Sequence, residues 1–391
     1  MVRTPRNRRA KFQLGSSCIF PLVLSLVSAL KIPVLFDSSN GLHRNIYYHP
    51  EQPARIDTCV KKLKGQPGIE LIDIAPGDAV ENSDQEILRR PFTKDELKYA
   101  REILLKTHAP ELIKSLEERC SESKNRRLKE GRDPLGFVGN IDEDTYVTTE
   151  TFDVCLRATA GWIRAVDLAM NNQESPSAAM ALMRPPGHHA TYETANGFCL
   201  MNFAAAAAIH AMGKNPDLKI SIFDWDVHYG QGVAKILQKY GRARYASIHQ
   251  SPAFPYLGGK FEITGDHDNV MTIPIIADTT WSCGYQEKFE KSVLPFLSSK
   301  DWQPDLVLIC AGYDALDSDE LASVGLVAQD YGKMIAKLRS HLDATSTSVR
   351  GAIPIALGLE GGYQLSEMAG GGNVGDALLA TLQGFSHSKT I

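Results

Sequence analysis

The chain has 391 residues, of which 43% are hydrophobic and 23% charged, with a net charge of −4. That composition suits a folded protein with a sizeable core and excludes an intrinsically disordered chain. Its 46 acidic residues against 42 basic ones give no general attraction for polyanions, so direct nucleic-acid binding is not expected.

The first residues differ from the rest. Arg3, Arg6, Arg8, Arg9 and Lys11 precede an apolar run from Cys18 to Leu30, with no acidic residue before Asp37. The run is short for a bilayer crossing and contains Pro21, so no transmembrane span is expected. Residues 1–30 read as a targeting presequence for an organelle or the endomembrane route. The other reading is a disordered basic arm on a protein of the cytoplasm or nucleus. Residues 31–386 read as a single domain that begins with a strand at Ile32 to Phe36.

To about residue 150 the pattern mixes helices and long loops. Thr93 to Arg119 has helical spacing broken near Pro110, Ser121 to Pro134 is polar enough to predict an exposed loop, and Thr151 to Met170 predicts an amphipathic helix. From residue 178 short apolar runs recur at Ala178–Met183, Lys219–Phe223, Arg244–Ile248, Val270–Ile275, Leu306–Cys310 and Ile353–Leu357. Helical stretches at Phe203–Met212, Gly230–Lys239, Tyr285–Leu297 and Val327–Leu338 separate most of them. This alternation predicts an α/β fold, an open and mostly parallel sheet with helices on both faces. The seven cysteines form no Cys-x-x-Cys pair, which suits buried reduced thiols better than a zinc ribbon or a disulfide framework.

Polar clusters follow four of the predicted strands: Arg184-Pro-Pro-Gly-His-His189, Asp224-Trp-Asp-Val-His228, Ala311-Gly-Tyr-Asp314 and Gly358-Leu-Glu-Gly-Gly-Tyr363. Strands of a parallel sheet all end at one carboxyl edge, where ligands bind in such folds. Asp226 and His228, two apart at a strand end, are expected to face one way and share an ion with Asp314. Two carboxylates and one imidazole leave an open position, as catalytic zinc sites do, and other divalent metals would also fit. His188 and His189 titrate in the range a hydrolase needs for a base and an acid, with Asp224 placed to orient one of them. The phenol of Tyr363, after Gly361-Gly362, suits an oxyanion donor. Each cluster alone has a structural reading; together they supply what amide hydrolysis requires.

These motifs, with Gly197-Phe-Cys199 and His49-Pro-Glu-Gln-Pro-Ala-Arg55, resemble the zinc-dependent histone deacetylase family. The Asp-Trp-Asp and Leu-Glu-Gly-Gly-Tyr forms resemble its class II branch and the bacterial acetylpolyamine amidohydrolases. The resemblance runs from about Ile32 to the C-terminus and implies an arginase-like fold. It implies that Asp226, His228 and Asp314 bind zinc and that Tyr363 polarises the acetyl carbonyl. His189 would be the main base and acid, with His188 its electrostatic partner held by Asp224. Gly197, Phe198, Phe254 and Leu321 would line the substrate tunnel, with Leu321 in the gatekeeper place. A potassium ion would lie near Asp224, Asp226, His228, Ser247 and Ile248.

Two positions depart from the family pattern. Tyr229 replaces a usual histidine, and Gln231 replaces the usual Asp or Asn partner of the second catalytic histidine, so that histidine is expected to be less basic. The implied substrate is an acetylated protein or peptide, histones among them. A small acetylated amine is the alternative, favoured if Glu320 rather than Leu321 faces the mouth, and an inactive scaffold is the third reading.

Overall fold

The computed structural model describes residues 31–76, 91–171, 177–346 and 351–386. The presequence expected at residues 1–30 lies outside them. In chain order, β1 (Ile32–Phe36), α1 (Ala54–Leu63) and β2 (Ile69–Asp73) lead to α2 (Lys94–Thr107) and α3 (Pro110–Lys129). A small hairpin, β3 (Phe137–Asn140) and β4 (Tyr146–Thr148), precedes α4 (Thr151–Asn171). Then come β5 (Ala178–Leu182), α5 (Phe203–Lys214), β6 (Ile220–Asp224), α6 (Gln231–Leu237), β7 (Ala243–Gln250), β8 (Glu262–Thr264) and β9 (Val270–Ile275). The chain closes with α7 (Tyr285–Lys288), α8 (Leu294–Leu297), β10 (Leu306–Ala311), α9 (Ala328–Thr345), β11 (Ile355–Leu359) and α10 (Val374–Gly384).

Among the described residues nine strands form one sheet, in the order β2-β1-β5-β11-β10-β6-β7-β9-β8. Every pairing is parallel except β8 with β9 at the edge. The central strands are buried on both faces, which is why they read as continuous apolar runs. Alternate residues divide between two cores: Leu306, Leu308 and Cys310 pack with Trp162 and Phe203 on the α4–α5 side. Val307, Ile309 and Ala311 pack with Phe289, Tyr331 and Leu378 on the α9–α10 side. The sheet thus sits between two helical layers, as a period-two strand buried on both sides requires.

The break expected near Pro110 is the boundary between α2 and α3, where proline occupies the first turn and needs no backbone donor. Thr93 and Glu96 form a reciprocal cap at the start of α2. The loop expected at Ser121–Pro134 is not observed over most of its length, because α3 continues to Lys129. Ile113, Leu116, Cys120 and Ser123 form its single buried stripe. The remaining faces are charged, and Arg126, Arg127 and Lys129 stand in its last turn, where cations favour a helix. The helix expected over Tyr285–Leu297 is interrupted by a π-helical turn at Phe289–Val293. The alternation also left α1, β2, β8, α10 and the hairpin unpredicted. Six described cysteines are free thiols, and all but Cys283 are buried. No helix among the described residues is long and apolar enough to cross a membrane.

Candidate active site

Since β5, β6, β10 and β11 run parallel in the middle of the sheet, their C-terminal ends deliver all four polar clusters to one edge. Asp224 ends β6, paired with Ser247 on β7 and Cys310 on β10. Asp226 and His228 lie beyond the strand, so the pleat is not what aligns them. A turn does so: the His228 N–H donates to Asp226 Oδ1 at 2.9 Å. Asp314, beyond β10, accepts the Val227 N–H on Oδ1 at 2.9 Å and so binds the two strand ends together.

His228 Nδ1 lies 3.3 Å from Asp226 Oδ1 and 3.1 Å from Asp314 Oδ2. The three ligand atoms fall within 4.8 Å of one another, and both carboxylates are fully buried. Among the described residues their ion-pair partners are imidazoles, with no Lys or Arg close by. Burial alone would discharge His228, but hydrogen bonds to Asp226 and Asp314 push its pKa up to about 10. Burial and the Asp226 charge raise Asp314. Two buried carboxylates facing one imidazole nitrogen make a donor set that fits a divalent cation. Gly361 makes room for it: its N–H donates to Asp226 Oδ2 at 2.7 Å, and a Cβ there would stand 2.2 Å from Asp314 Oδ2.

The backbone around the histidine pair is anchored from two sides. Glu360 Oε2 accepts the N–H groups of Gly187 (2.6 Å) and His188 (3.0 Å). Asn202, at the start of α5, donates to the Ala190 carbonyl at 2.9 Å. The rings themselves find different partners. His188 Nδ1 meets Asp224 Oδ2 at 3.0 Å, and Asp224 also accepts the Tyr245 phenol at 2.7 Å. His189 Nδ1 meets Gln231 Oε1 at 2.7 Å, while the Gln231 amide donates to Asn196 Oδ1 at 3.0 Å. Burial would lower His188, but the carboxylates of Asp226 and Asp224 hold it well above its ordinary value. Burial, with His188 and His228 as neighbouring charges, pushes His189 well below. One imidazole thus favours its charged form and its neighbour the neutral form, with Nε2 free to accept a proton.

Aromatic rings border these groups. Phe254 stands edge-on to His189 with centroids 4.9 Å apart, and Phe198 stands edge-on to Tyr363 at 5.7 Å. Phe198 has φ of 66° after Gly197 at 56°. A side chain on Gly197 would press within 2.6 Å of Phe254 and 2.8 Å of His189, so only glycine lets the rings approach. The Arg55 guanidinium lies 4.7 Å from the centre of the Tyr363 ring and donates through Nε to the Gly362 carbonyl at 2.8 Å. Leu321 is partly exposed, and neighbouring Glu320 accepts the Tyr48 phenol at 2.7 Å. Ser247 and Ile248 lie on the strand beside Asp224, where the Ser247 hydroxyl meets His249 Nδ1 at 3.0 Å.

Sequence reasoning missed Glu360, Tyr245 and Asn202 as supports of the site. Glu360 had a signal, since it lies inside a quoted motif; Tyr245 lies in a predicted strand, and Asn202 directly precedes a predicted helix, where an asparagine cap is itself a signal.

The model of the histone deacetylase domain matches residues 49–373. An uncharacterized protein of Synechocystis sp. is 34% identical over 86% of this chain and 96% of its own length. A probable deacetylase of Archaeoglobus fulgidus is 28% identical over 91% of this chain and 87% of its own. The histone deacetylase HDA1 of Saccharomyces cerevisiae is 27% identical over 88% of this chain and 47% of that longer protein. Among solved structures the HDA15 HD domain superposes with a TM-score of 0.69 at 23% identity, covering 92% of this chain and 90% of that one, which establishes the shared fold.

Proposed function

As a member of the histone deacetylase family the chain is a deacetylase, and we propose that it is a zinc-dependent hydrolase of acetyl-lysine in proteins or peptides. The observation that carries this reading is the gathering of Asp226, His228 and Asp314 within 4.8 Å, on the edge that also bears His189 and Tyr363. Asp226, His228 and Asp314 would hold the zinc ion, which when bound supplies polarisation of the acetyl carbonyl and acidification of water. A potassium ion would draw on Asp224, Asp226, His228, Ser247 and Ile248, by resemblance to the family.

His189 accepts the proton of the attacking water at Nε2, because Nδ1 is turned to Gln231. His188, charged against Asp224, favours the anionic character that builds up beside it. The Tyr363 phenol donates to the developing oxyanion, and His189 returns its proton to the departing amine. The rings of Phe198 and Phe254 flank the acyl-lysine stem, whose methylenes suit apolar walls. Residues 1–30 are proposed to direct the protein to an organelle or the endomembrane route, which a fluorescent fusion of that segment tests.

A peptide-linked acetyl-lysine brings only a neutral stem and amide to Leu321, whereas a polyamine brings distal ammonium groups that need a carboxylate. The exposed carboxylate of Glu320 favours the polyamine as a second reading, but it is already held by Tyr48. Measuring kcat/KM on acetyl-lysine peptides, histone peptides included, beside acetylputrescine and acetylspermidine tests the choice. Peptides are expected to win; faster turnover of acetylated polyamines, reversed by Glu320→Leu, would overturn it.

A further inference from the structure

We propose that Asp319 is a positioning residue for Tyr363, clamping the loop that carries the oxyanion donor to the loop that bears Leu321. The role deepens the deacetylase reading and rests on it.

Tyr363 follows two glycines, and Gly362 has φ of 108°. Such a segment has little stiffness of its own, yet an oxyanion donor must be held to within about half an ångström. Its ring is held by Arg55 on a face and by Phe198 at an edge. Arg55 also donates to the Gly362 carbonyl at 2.8 Å, but neither residue accepts the backbone N–H groups at and just after the ring. Asp319 does: its Oδ2 accepts the Tyr363 N–H at 2.7 Å and the Gln364 N–H at 3.1 Å. The other oxygen accepts the Leu321 N–H at 3.1 Å. Gln364 returns the link through Nε2, which donates to the Ser318 carbonyl at 2.6 Å.

The carboxylate is 7% exposed, and no Lys, Arg or His side chain among the described residues pairs with it. It is therefore held by main-chain N–H groups from two loops, not by a counter-charge. Burying an uncompensated carboxylate is costly, and burial together with Asp314 pushes its pKa up to about 7 despite those donors. An acceptor for both loops at once requires two oxygens. Asparagine offers one, and its amide would face an N–H group on the other side.

The test is a double-mutant cycle on the metal-loaded full chain, with Asp319→Asn and Tyr363→Phe alone and together, assayed on an acetyl-lysine peptide. Asp319→Asn is expected to lower kcat about 10-fold or more with KM within about 2-fold and full metal content. In the Tyr363→Phe background the same substitution is expected to change the residual rate by less than about 2-fold, because its target is already gone. Equal fractional losses in both backgrounds, or an unchanged kcat, would overturn the role. Should Asp319→Asn melt below the assay temperature, Asp319→Glu, which keeps the charge but displaces both oxygens from the N–H groups they accept, is read by the same criterion. Wild-type protein that leaves acetyl-lysine peptides intact would reject the acetyl-lysine reading itself, an outcome separate from a failed cycle.

Discussion

His189 Nδ1 lies 2.7 Å from Gln231 Oε1, so the imidazole best placed to act as a base leans on a neutral amide. A carboxylate at that position would stabilise the imidazolium; the amide orients the ring without doing so. Gln231→Asp is therefore expected to raise the His189 pKa. The acidic limb of the kcat/KM profile, where the base becomes protonated, would move to higher pH. An unmoved limb would mean that Gln231 does not control the base.

Tyr363 is expected to contribute to turnover more than to binding. Loss of one oxyanion donor costs about 100- to 1000-fold in kcat. Tyr363→Phe should show that loss with little change in substrate affinity, measured by steady-state kinetics beside equilibrium binding. Equal turnover in mutant and wild type would remove the assigned role.

The proposed cation site would rest on a glycine as much as on its ligands. A Cβ at Gly361 would stand 2.2 Å from Asp314 Oδ2 and 2.6 Å from Asp226 Oδ2. Gly361→Ala is expected to weaken metal binding by about 10- to 100-fold, read by competition with a chelator. Asp314→Ala should retain no stoichiometric metal. Full occupancy in the Asp314 variant would reject the ligand set.

Away from the reacting groups, Glu51 and Arg184 form a fully buried pair through contacts of 2.6 and 2.7 Å. Burial alone would raise the Glu51 pKa, but the Arg184 guanidinium holds it down at about 2. A folded-state value below the unfolded one gives stability that is present above about pH 4.5 and lost as pH falls toward 2. Glu51→Gln should cost about 3–5 kcal/mol near neutral pH, because it strands a buried guanidinium. Urea unfolding should show the gap between mutant and wild type narrowing from about pH 5 to about pH 2. A constant gap would contradict the linkage.

Much of this was legible in the sequence for physical reasons. A strand buried on both faces must be a short apolar run, so Ile32–Phe36 and Val270–Ile275 match the observed strands to the residue and the other five predicted strands within two. Parallel order follows from alternation with helices, and it predicts that Asp226, His228, Asp314, His189 and Tyr363 converge on one edge. The helix α3 was misread because a surface helix with one narrow apolar stripe shares its composition with a loop. α1 and β2 carried local signals of their own, helical spacing at Ile56, Cys59, Val60 and Leu63 and the apolar residues of Ile69-Glu-Leu-Ile-Asp73, which a reading of the region as mixed helices and long loops does not separate.

By itself the sequence determined the fold class, the carboxyl edge as the site and the chemistry of the residues gathered there, because periodicity and residue type are local properties of the chain. Only the tertiary structure decided which partner each residue found. Asp224 took His188 while Gln231 took His189, which separates the two imidazoles electrostatically. Asp319 reached across 44 positions to hold the Tyr363 backbone. Pairings of that span depend on how the loops leave the sheet, and no local pattern in the chain encodes that path.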